Sequence, residues 1–521
     1  MTHLTPAERP AADSETGLGR REVLKLAMAT SFLSLTDASR LLAAEGEVTG
    51  LSALDLSRAI HAREISCVEV MTAYLDHIEA VNPKVNAIVS LRPRDELLAE
   101  AASADAALAA GRDSGWLHGI PQAPKDLTAA VGIPMTMGSP VLAENMPKAD
   151  SILVERTRGA GAILIGKTNT PEFGLGSHTY NPVFGTTLNA YDQGVSAGGS
   201  SGGAAVALAT HMLPVADGSD MMGSLRNPAG WNNVFGFRPS LGRVPFGPTS
   251  EAFFQQLGYE GPMGRTVTDV AMLLSIQAGY DPRTPLSLDG DGAVFAGPLT
   301  RDFKGARIGW LRDLDGYLPM EAGVLETCES ALVNFEAIGC TVEPVRPDFA
   351  MADLWTAWVT LRSFLVSGGM APLYDNPKTR ALLKPEAIWE IETGRKLSAA
   401  DVFRASAIRS AWYQTVLQLH ETYDFLVLPT AQIFPFEARQ PWPKTVAGRE
   451  MDTYHRWMEV VIPGSLAGTP VLAVPAGFSP AGLPIGLQIM APPRADLAAL
   501  QIGHAYEQVQ PYTARLSPLA G

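Results

Sequence analysis

The stretch Gly198-Gly199-Ser200-Ser201-Gly202-Gly203, followed directly by the helical pattern AAVALATHM at residues 204–212, is the strongest local signal in the chain. Glycine adopts backbone conformations that a Cβ atom disfavours, so two serines can be held in a tight turn. The N-terminus of the following helix offers free N–H groups that stabilise negative charge. The stretch therefore predicts a polar loop at the start of a helix.

This loop has three alternative interpretations, and the sequence excludes the first of them. A nucleotide phosphate loop is excluded because Ala204-Ala205 stands where that loop needs Lys and then Ser or Thr. The pattern G-x-S-x-G also fits a nucleophile elbow, which would make Ser200 the nucleophile and require a downstream histidine. An elbow follows a strand, however, and residues 191–197 (YDQGVSA) are polar and contain glycine, which disfavours a strand. A purely structural glycine-rich turn remains open.

A second segment, ADGSDMMGSLRNPA at residues 216–229, follows a short apolar run that begins at Leu213. A tight loop after a strand can direct successive backbone N–H groups at an anion and place a serine at its end. This is the layout of an oxyanion hole beside a nucleophile. Ser224 is therefore a candidate nucleophile.

A third segment, GIPQAPKD at residues 119–126, places Lys125 in apolar surroundings bounded by prolines. A lysine acts as a base only when it is neutral, so its pKa must fall from ~10.4 by roughly two or three units through burial and hydrogen bonding. The alternative is an ordinary surface pair of Lys125 and Asp126, which would have no catalytic role.

Together the three segments resemble the amidase signature family. The resemblance rests on Lys125-Asp126, GGSSGG at 198–203 and GSDMMGSLRNPA at 218–229, with further similar stretches at 236–244 and 466–488. The separations of 75 residues between Lys125 and Ser200 and of 24 between Ser200 and Ser224 also fit that family. The similar region covers roughly residues 50 to 510.

The resemblance implies a mechanism without a metal or an organic cofactor. Ser224 would attack the substrate carbonyl, Ser200 would relay its proton to neutral Lys125, and water would release the acyl-enzyme. The implied oxyanion donors are the backbone N–H groups of Met221, Met222, Gly223 and Ser224. The implied supporting residues are Gly199, whose bond to Ser200 would be cis, together with Ser201, Asp220 and Arg226.

Met222 departs from the family pattern, which usually has Gly-Gly-Ser at this point. A methionine would be strained if the position required a positive φ. We expect instead that its N–H group is kept and that a side chain is added near the acyl pocket. The departure bears on substrate preference and not on the reaction class.

Short apolar runs alternate with helical patterns along the chain, which predicts an α/β fold with a mainly parallel or mixed sheet covered by helices. The resemblance implies one α/β/α domain around a large twisted mixed sheet. We place this domain at residues 46–515, with a helix-rich region at about 349–457 that carries six of the nine tryptophans and is a candidate pocket wall. The runs read as strands are 162–166, 213–216, 306–311, 425–428, 471–474 and 485–490.

Composition excludes several classes of protein. A formal net charge of −14 argues against nucleic acid as a partner, because phosphate binding needs clustered Lys and Arg. The three cysteines are too few and too scattered for a disulfide framework or a zinc site. Beyond the N-terminus no apolar stretch reaches the ~18 residues of a membrane span.

The first 45 residues are interpreted as a tail. Arg20-Arg21 precedes a short apolar run from Leu26 to Leu35, which resembles a twin-arginine export signal and would direct the protein to the periplasm. The alternative is a basic tail on a cytoplasmic protein.

The leading hypothesis is a stand-alone amidase, acting as a monomer or homodimer on an apolar or aromatic small-molecule amide, anilide, carbamate or ester. The second is the related protein that releases ammonia from glutamine within a tRNA-dependent amidotransferase complex. The third is a binding protein on an amidase scaffold that has lost its activity.

Overall fold

Sixteen β-strands, eight of them in one large sheet, are present over residues 45–520, the part of the chain that a computed structural model describes. Their bounds are β1 Ile88–Val89, β2 Pro121–Gln122, β3 Ile163–Leu164, β4 Lys167–Thr168, β5 Tyr180–Asn181, β6 Gly185–Thr186, β7 Val215–Asp220, β8 Phe235–Arg238, β9 Tyr259–Gly264, β10 Arg307–Trp310, β11 Thr341–Pro344, β12 Phe425–Pro429, β13 Thr445–Val446, β14 Arg449–Glu450, β15 Val471–Phe478 and β16 Pro484–Met490.

The large sheet has the strand order β11-β10-β12-β16-β15-β8-β9-β7. Strand β10 pairs in parallel with β11 and β12, and every other pairing in this sheet is antiparallel. The sheet is therefore mixed, which confirms the predicted α/β class.

Helices surround the sheet, and the same residues contain sixteen α-helices. Their bounds are α1 Glu45–Gly50, α2 Ala53–His61, α3 Cys67–Val85, α4 Arg94–Ala109, α5 Ile152–Gly159, α6 Gly202–Ala209, α7 Asn227–Trp231, α8 Val267–Gln277, α9 Val324–Ala331, α10 Val333–Ala337, α11 Met351–Asp375, α12 Pro377–Arg380, α13 Pro385–Gly394, α14 Ala399–His420, α15 Ile462–Ala467 and α16 Asp496–Glu507.

Buried apolar residues cover both faces of the sheet at its centre. In β15, Leu472 and Val474 belong to one buried cluster and Ala473 belongs to a second. Neighbouring side chains of a strand point to opposite faces, so the two clusters lie on opposite sides of β15. The second cluster includes the buried side chains of α3 and most of α6. The sheet is thus the middle layer of an α/β/α arrangement.

Local sequence explains where α3 begins and ends. Ser66 and Glu69 form a capping box, with the Glu69 N–H donating to Ser66 Oγ and the Ser66 N–H to a Glu69 carboxylate oxygen. Pro83 lies inside this helix and does not end it. The helix continues to Val85 and ends where Asn86 adopts a left-handed conformation.

All six apolar runs read as strands overlap a strand, and five of these strands lie in the large sheet. Residues 162–166 contain β3, which pairs only with β2 in a separate two-stranded sheet. The apolar runs did not include β9, whose Gly261 and Pro262 are residues that strands disfavour.

Among the described residues no helix is long and apolar enough to cross a membrane.

Candidate active site

Lys125 lies beneath the floor of a cavity and is fully buried. Its backbone N–H donates to Asp217 Oδ2 at 3.1 Å, which fixes the residue against β7. Its Nζ lies 2.7 Å from Ser200 Oγ, 2.9 Å from Ser201 Oγ and 3.1 Å from Ser219 Oγ. The three predicted segments therefore meet around this amine.

Burial lowers the pKa of Lys125 to about 7, because the charged form loses its hydration. The charges of Asp220, Asp217 and Glu260 act in the opposite direction and raise it. The hydrogen-bond acceptors of Nζ are hydroxyl and carbonyl oxygens, which do not hold the amine in its charged form as a carboxylate contact would. Near neutral pH a large fraction of Lys125 is thus neutral and able to accept a proton.

The surface pair of Lys125 and Asp126 is excluded as an interpretation. Asp126 is as buried as the lysine, and its carboxylate accepts hydrogen bonds from the Thr136 hydroxyl at 2.5 Å and from the Thr136 and Gly138 N–H groups. Asp126 therefore holds the loop that follows Lys125.

The glycine-rich loop brings Ser200 and Ser201 to the amine. The Gly199–Ser200 peptide bond is cis, as the resemblance implied. Ser201 donates its N–H to the Ser224 carbonyl at 3.3 Å, so the loop is joined directly to the third segment. Gly203 has no room for a side chain, since a Cβ there would lie 2.3 Å from the Asn169 backbone nitrogen.

The Ser224 loop is held by Asp220, the last residue of β7. Its two carboxylate oxygens accept the Gly223 N–H at 2.9 Å and the Leu225 N–H at 3.1 Å. Arg226 contacts the same carboxylate through Nε at 2.9 Å and Nη2 at 3.0 Å, and Arg238 forms a further ion pair with it. Although burial opposes ionisation, these guanidinium charges and hydrogen bonds hold the pKa of Asp220 well below its usual range.

Arg226 connects this loop to the opposite half of the sheet. Its Nη1 donates to Gln488 Oε1 at 2.7 Å and to the Val461 carbonyl at 2.8 Å, and its Nη2 donates to Ser465 Oγ at 2.6 Å. The nucleophile turn is therefore anchored to β16 and to the start of α15.

The expected set of four oxyanion donors needs a correction at Gly223. Its N–H is directed at Asp220 and not into the cavity, because the carboxylate needs it to close the turn. Gly223 also carries the positive φ of the loop, at +79°, and Met222 is not among the described residues with positive φ. The methionine in the place of the family glycine is thus unstrained. The N–H groups of Met221, Met222 and Ser224 remain as candidate donors.

Ser224 and Ser200 line the same cavity. Within residues 45–520 the Ser224 hydroxyl makes no hydrogen bond to Ser200 or to Lys125, whereas Ser200 and Lys125 are bonded to each other. Ser200 and Lys125 are therefore joined directly, whereas the Ser224 hydroxyl is not engaged by either of them.

The cavity has a volume of about 260 Å³ and a largely apolar wall. Its apolar side chains come from both halves of the chain and are Leu127, Met137, Phe173, Leu175, Met221, Met222, Phe246, Val366 and Met370.

The helix-rich region at 349–457 contributes to this wall, but not through its tryptophans. Arg362, Val366 and Met370 of α11 face the cavity together with His455. Within the described chain no tryptophan lines it, and Trp358, Trp412 and Trp457 are core residues. Their bulk is used in packing helices together, which sequence alone could not distinguish from a pocket wall.

Sequence reasoning missed four polar residues of the site. Ser219 was within the quoted motif, and its hydroxyl bonds Lys125. Glu260, Arg362 and His455 line the cavity but stand in segments with no recognisable motif. The tertiary structure alone brings these three residues to the cavity that Ser200 and Ser224 line.

Comparison with known proteins agrees with this geometry. The Amidase family model matches residues 69–500. An acylamidase of Rhodococcus erythropolis is 34% identical over 469 residues, covering 89% of this chain and 96% of the relative. A glutamyl-tRNA(Gln) amidotransferase subunit of Thermosynechococcus vestitus is 35% identical over 481 residues, covering 88% of this chain and 98% of the relative. The structure of a bacterial aryl acylamidase superposes with a TM-score of 0.85 at 29% identity, covering 90% and 98% of the two chains. The chain therefore belongs to the amidase signature family and is an amide hydrolase.

Proposed function

We propose that the protein is a stand-alone amidase in which Ser224 is the nucleophile, Ser200 the proton relay and Lys125 the base. One observation carries the proposal. A fully buried amine, with its pKa lowered to about 7, lies 2.7 Å from a hydroxyl that shares a cavity with a second, unengaged hydroxyl. Such an arrangement removes a proton from a serine only at the moment of attack.

The proposed reaction has two stages. Ser224 Oγ attacks the amide carbonyl, its proton passes through Ser200 Oγ to Lys125 Nζ, and the oxyanion is stabilised by the N–H groups of Met221, Met222 and Ser224. Each such donor contributes roughly 3 to 4 kcal/mol to the transition state. The proton then passes back through Ser200 to the leaving amine as the C–N bond breaks. Water attacks the acyl-enzyme and gives its proton through Ser200 to Lys125, and that proton returns to Ser224 Oγ as the carboxylic acid is released.

The cavity favours apolar or aromatic substrates. Apart from the reacting groups its wall is formed mainly by Met, Leu, Val and Phe side chains, with Phe173 and Phe246 available to contact an aromatic ring. A volume of about 260 Å³ admits an aryl or acyl group of modest size. Anilides and other amides with an apolar acyl or amine part are the proposed substrates.

A serine-directed fluorophosphonate followed by intact-mass spectrometry tests the assignment. Wild-type protein should gain one adduct, and Ser224→Ala should gain none. Ser200→Ala should be labelled slowly, because the nucleophile remains and its proton path is lost. Ser103→Ala, which removes an exposed hydroxyl of α4, is the matched control. An adduct that persists in Ser224→Ala would refute the proposal.

The glutamine-hydrolysing alternative is supported by the 35% identity to an amidotransferase subunit. The charges of the wall argue against it, since Arg362, which lines the cavity, is already paired with Glu390 and leaves the α-carboxylate of glutamine without a compensating charge. Glutaminase activity comparable to activity on anilides, together with copurification of further subunits from the native host, would establish this alternative in place of the first.

The twin-arginine hypothesis for the N-terminal tail concerns residues outside the described part of the chain. We keep export as a proposal, supported by Arg20-Arg21 and the apolar run after it. Cell fractionation of wild-type and Arg20→Lys/Arg21→Lys protein would test it, and an equal cytoplasmic content in both would contradict it.

A further inference from the structure

Among the described residues that line the cavity, Arg362 is the one cation, and not every N–H group of its guanidinium has a good hydrogen-bond acceptor. Its side chain is almost fully buried on α11. Nε donates to Glu390 Oε1 at 2.5 Å and Nη2 donates to Tyr454 Oη at 2.8 Å. Nη1, in contrast, points at Met221 Sδ at 3.2 Å. A thioether is a weak acceptor, so one strong donor of the cavity wall lacks an adequate partner.

His455 reinforces the polarity of this wall. It also lines the cavity, and both of its ring nitrogens are buried without a hydrogen-bond partner. Burial, with the charges of Arg362 and Arg456, holds the pKa of His455 well below its usual value, so the ring is neutral. The polar groups beside α11 thus comprise one cationic donor and one neutral imidazole.

The charges around Arg362 indicate which kind of substrate group can bind its Nη1. Glu390 already neutralises Arg362 and also accepts hydrogen bonds from the Ser363 and Tyr454 hydroxyls. A substrate carboxylate would therefore enter this wall without a compensating charge. An uncharged acceptor such as a carbonyl needs no further charge and can displace the methionine sulfur.

We propose that Arg362 is a specificity-determining residue that donates a hydrogen bond from Nη1 to an uncharged carbonyl-type acceptor on the substrate, separate from the amide that is cleaved. The preferred substrates are therefore apolar or aromatic amides that carry a second carbonyl group. This inference rests on the proposed function, since it assigns a partner within the same cavity.

Paired substrates test the inference. Anilides and benzamides with a 3-acetyl group are compared with their 3-isopropenyl counterparts, which have nearly the same shape and lack the carbonyl oxygen. The double variant Arg362→Gln/Glu390→Gln removes both charges of the pair, so neither is left buried alone. The ratio of kcat/KM between the two substrates should fall by about 10-fold or more relative to wild type, as expected when a hydrogen bond to a charged group is lost. Electronic effects of the acetyl group are common to both proteins and cancel in this comparison.

The matched control is Arg243→Gln/Asp496→Gln, which removes a largely buried ion pair of residues that do not line the cavity. Its substrate ratio should stay at the wild-type value, and a ratio unchanged in the Arg362 variant as well would overturn the inference. Fluorophosphonate labelling of Ser224 in each protein separates the inference from the proposed function. An unlabelled wild type would overturn both, whereas normal labelling with an unchanged ratio overturns the inference alone.

A second measurement needs no variant. In wild-type protein, acetophenone should protect Ser224 from the fluorophosphonate at concentrations several-fold below those needed for α-methylstyrene, which replaces the carbonyl oxygen with a methylene group. Equal protection by the two compounds would overturn the inference, even if the double variant does not fold.

Discussion

Lys125 is the proposed base, and its environment explains why a lysine is suitable there. An amine surrounded by serine hydroxyls has donors and acceptors in reach whether it is charged or neutral. Burial then sets the balance between the two forms near neutral pH. A guanidinium at the same place would remain charged and could not act as a base.

Activity is therefore expected to rise with pH on the acidic side. In the proposed mechanism the neutral form of Lys125 is the active one, so kcat/KM should increase as pH rises through about 7 and reach a plateau above it. The measurement is a pH–rate profile with an anilide substrate. A profile that is flat from pH 5 to 9 would contradict the assignment of Lys125 as the base.

Lys125→Met is the companion variant, since methionine has a similar length and no proton to exchange. Its kcat should fall by about 10² to 10⁴-fold. Its thermal unfolding temperature should stay close to that of wild type, because a buried amine is replaced by an apolar side chain. A large fall in that temperature would indicate a structural role for the lysine.

At the scale of elements, the turn between β7 and α7 is shaped by Gly223. The residue combines a φ of +79° with close contact to Val461, whose Cγ atoms would lie 2.9 Å from an added Cβ. The same Val461 accepts a hydrogen bond from Arg226 through its carbonyl. A side chain at residue 223 would therefore disturb both the donors of Met221 and Met222 and the anchor of the turn.

Gly223→Ala should reduce the rate of fluorophosphonate labelling at least 10-fold and lower the unfolding temperature. Gly316→Ala is its matched control, because Gly316 has the same φ of +79° and open space around its Cβ position. Both variants incur the roughly 1–2 kcal/mol of a left-handed alanine. If the two variants lose labelling equally, contact with Val461 is not what matters at residue 223.

At the same scale, the individual segments show which features could be predicted from the sequence and which could not. The loops of Lys125, Ser200 and Ser224 were predicted because each is a continuous segment whose backbone geometry is determined locally, and the fold class followed from apolar runs. The direction of the Gly223 N–H was not predictable, since it depends on which side of the turn Asp220 occupies. The roles of Glu260, Arg362 and the tryptophans depend on contacts between segments that are distant in the chain.

At the scale of the whole molecule, buried carboxyls make stability depend on pH. Glu260 is 4% exposed, accepts one hydrogen bond from Thr128 Oγ1 at 3.0 Å and leaves Oε2 without a partner. Burial and the nearby charge of Asp217 raise the pKa of Glu260 to about 8, against ~4.3 in an unfolded chain. Between those values the folded protein binds more protons than the unfolded one, so this residue makes stability fall as pH rises.

Glu260→Gln should therefore be stabilising in a pH-dependent way. The two proteins should unfold at similar temperatures near pH 4.5, where the carboxyl is largely protonated in the folded state and about half protonated in the unfolded state. The advantage of the variant should grow as pH rises towards about 8 and then level off. Differential scanning calorimetry at several pH values measures it, and an advantage that shrinks with rising pH would contradict the proposed protonation of Glu260.

The proposed reacting groups and one side of the cavity wall come from different parts of the chain. Lys125, Ser200 and Ser224 precede β8, whereas Arg362, Val366 and Met370 all project from α11. A change on that one helix can thus alter which molecules enter while the proton path stays intact. We therefore expect divergence to new substrates to proceed through substitutions on this helix, without loss of the catalytic step.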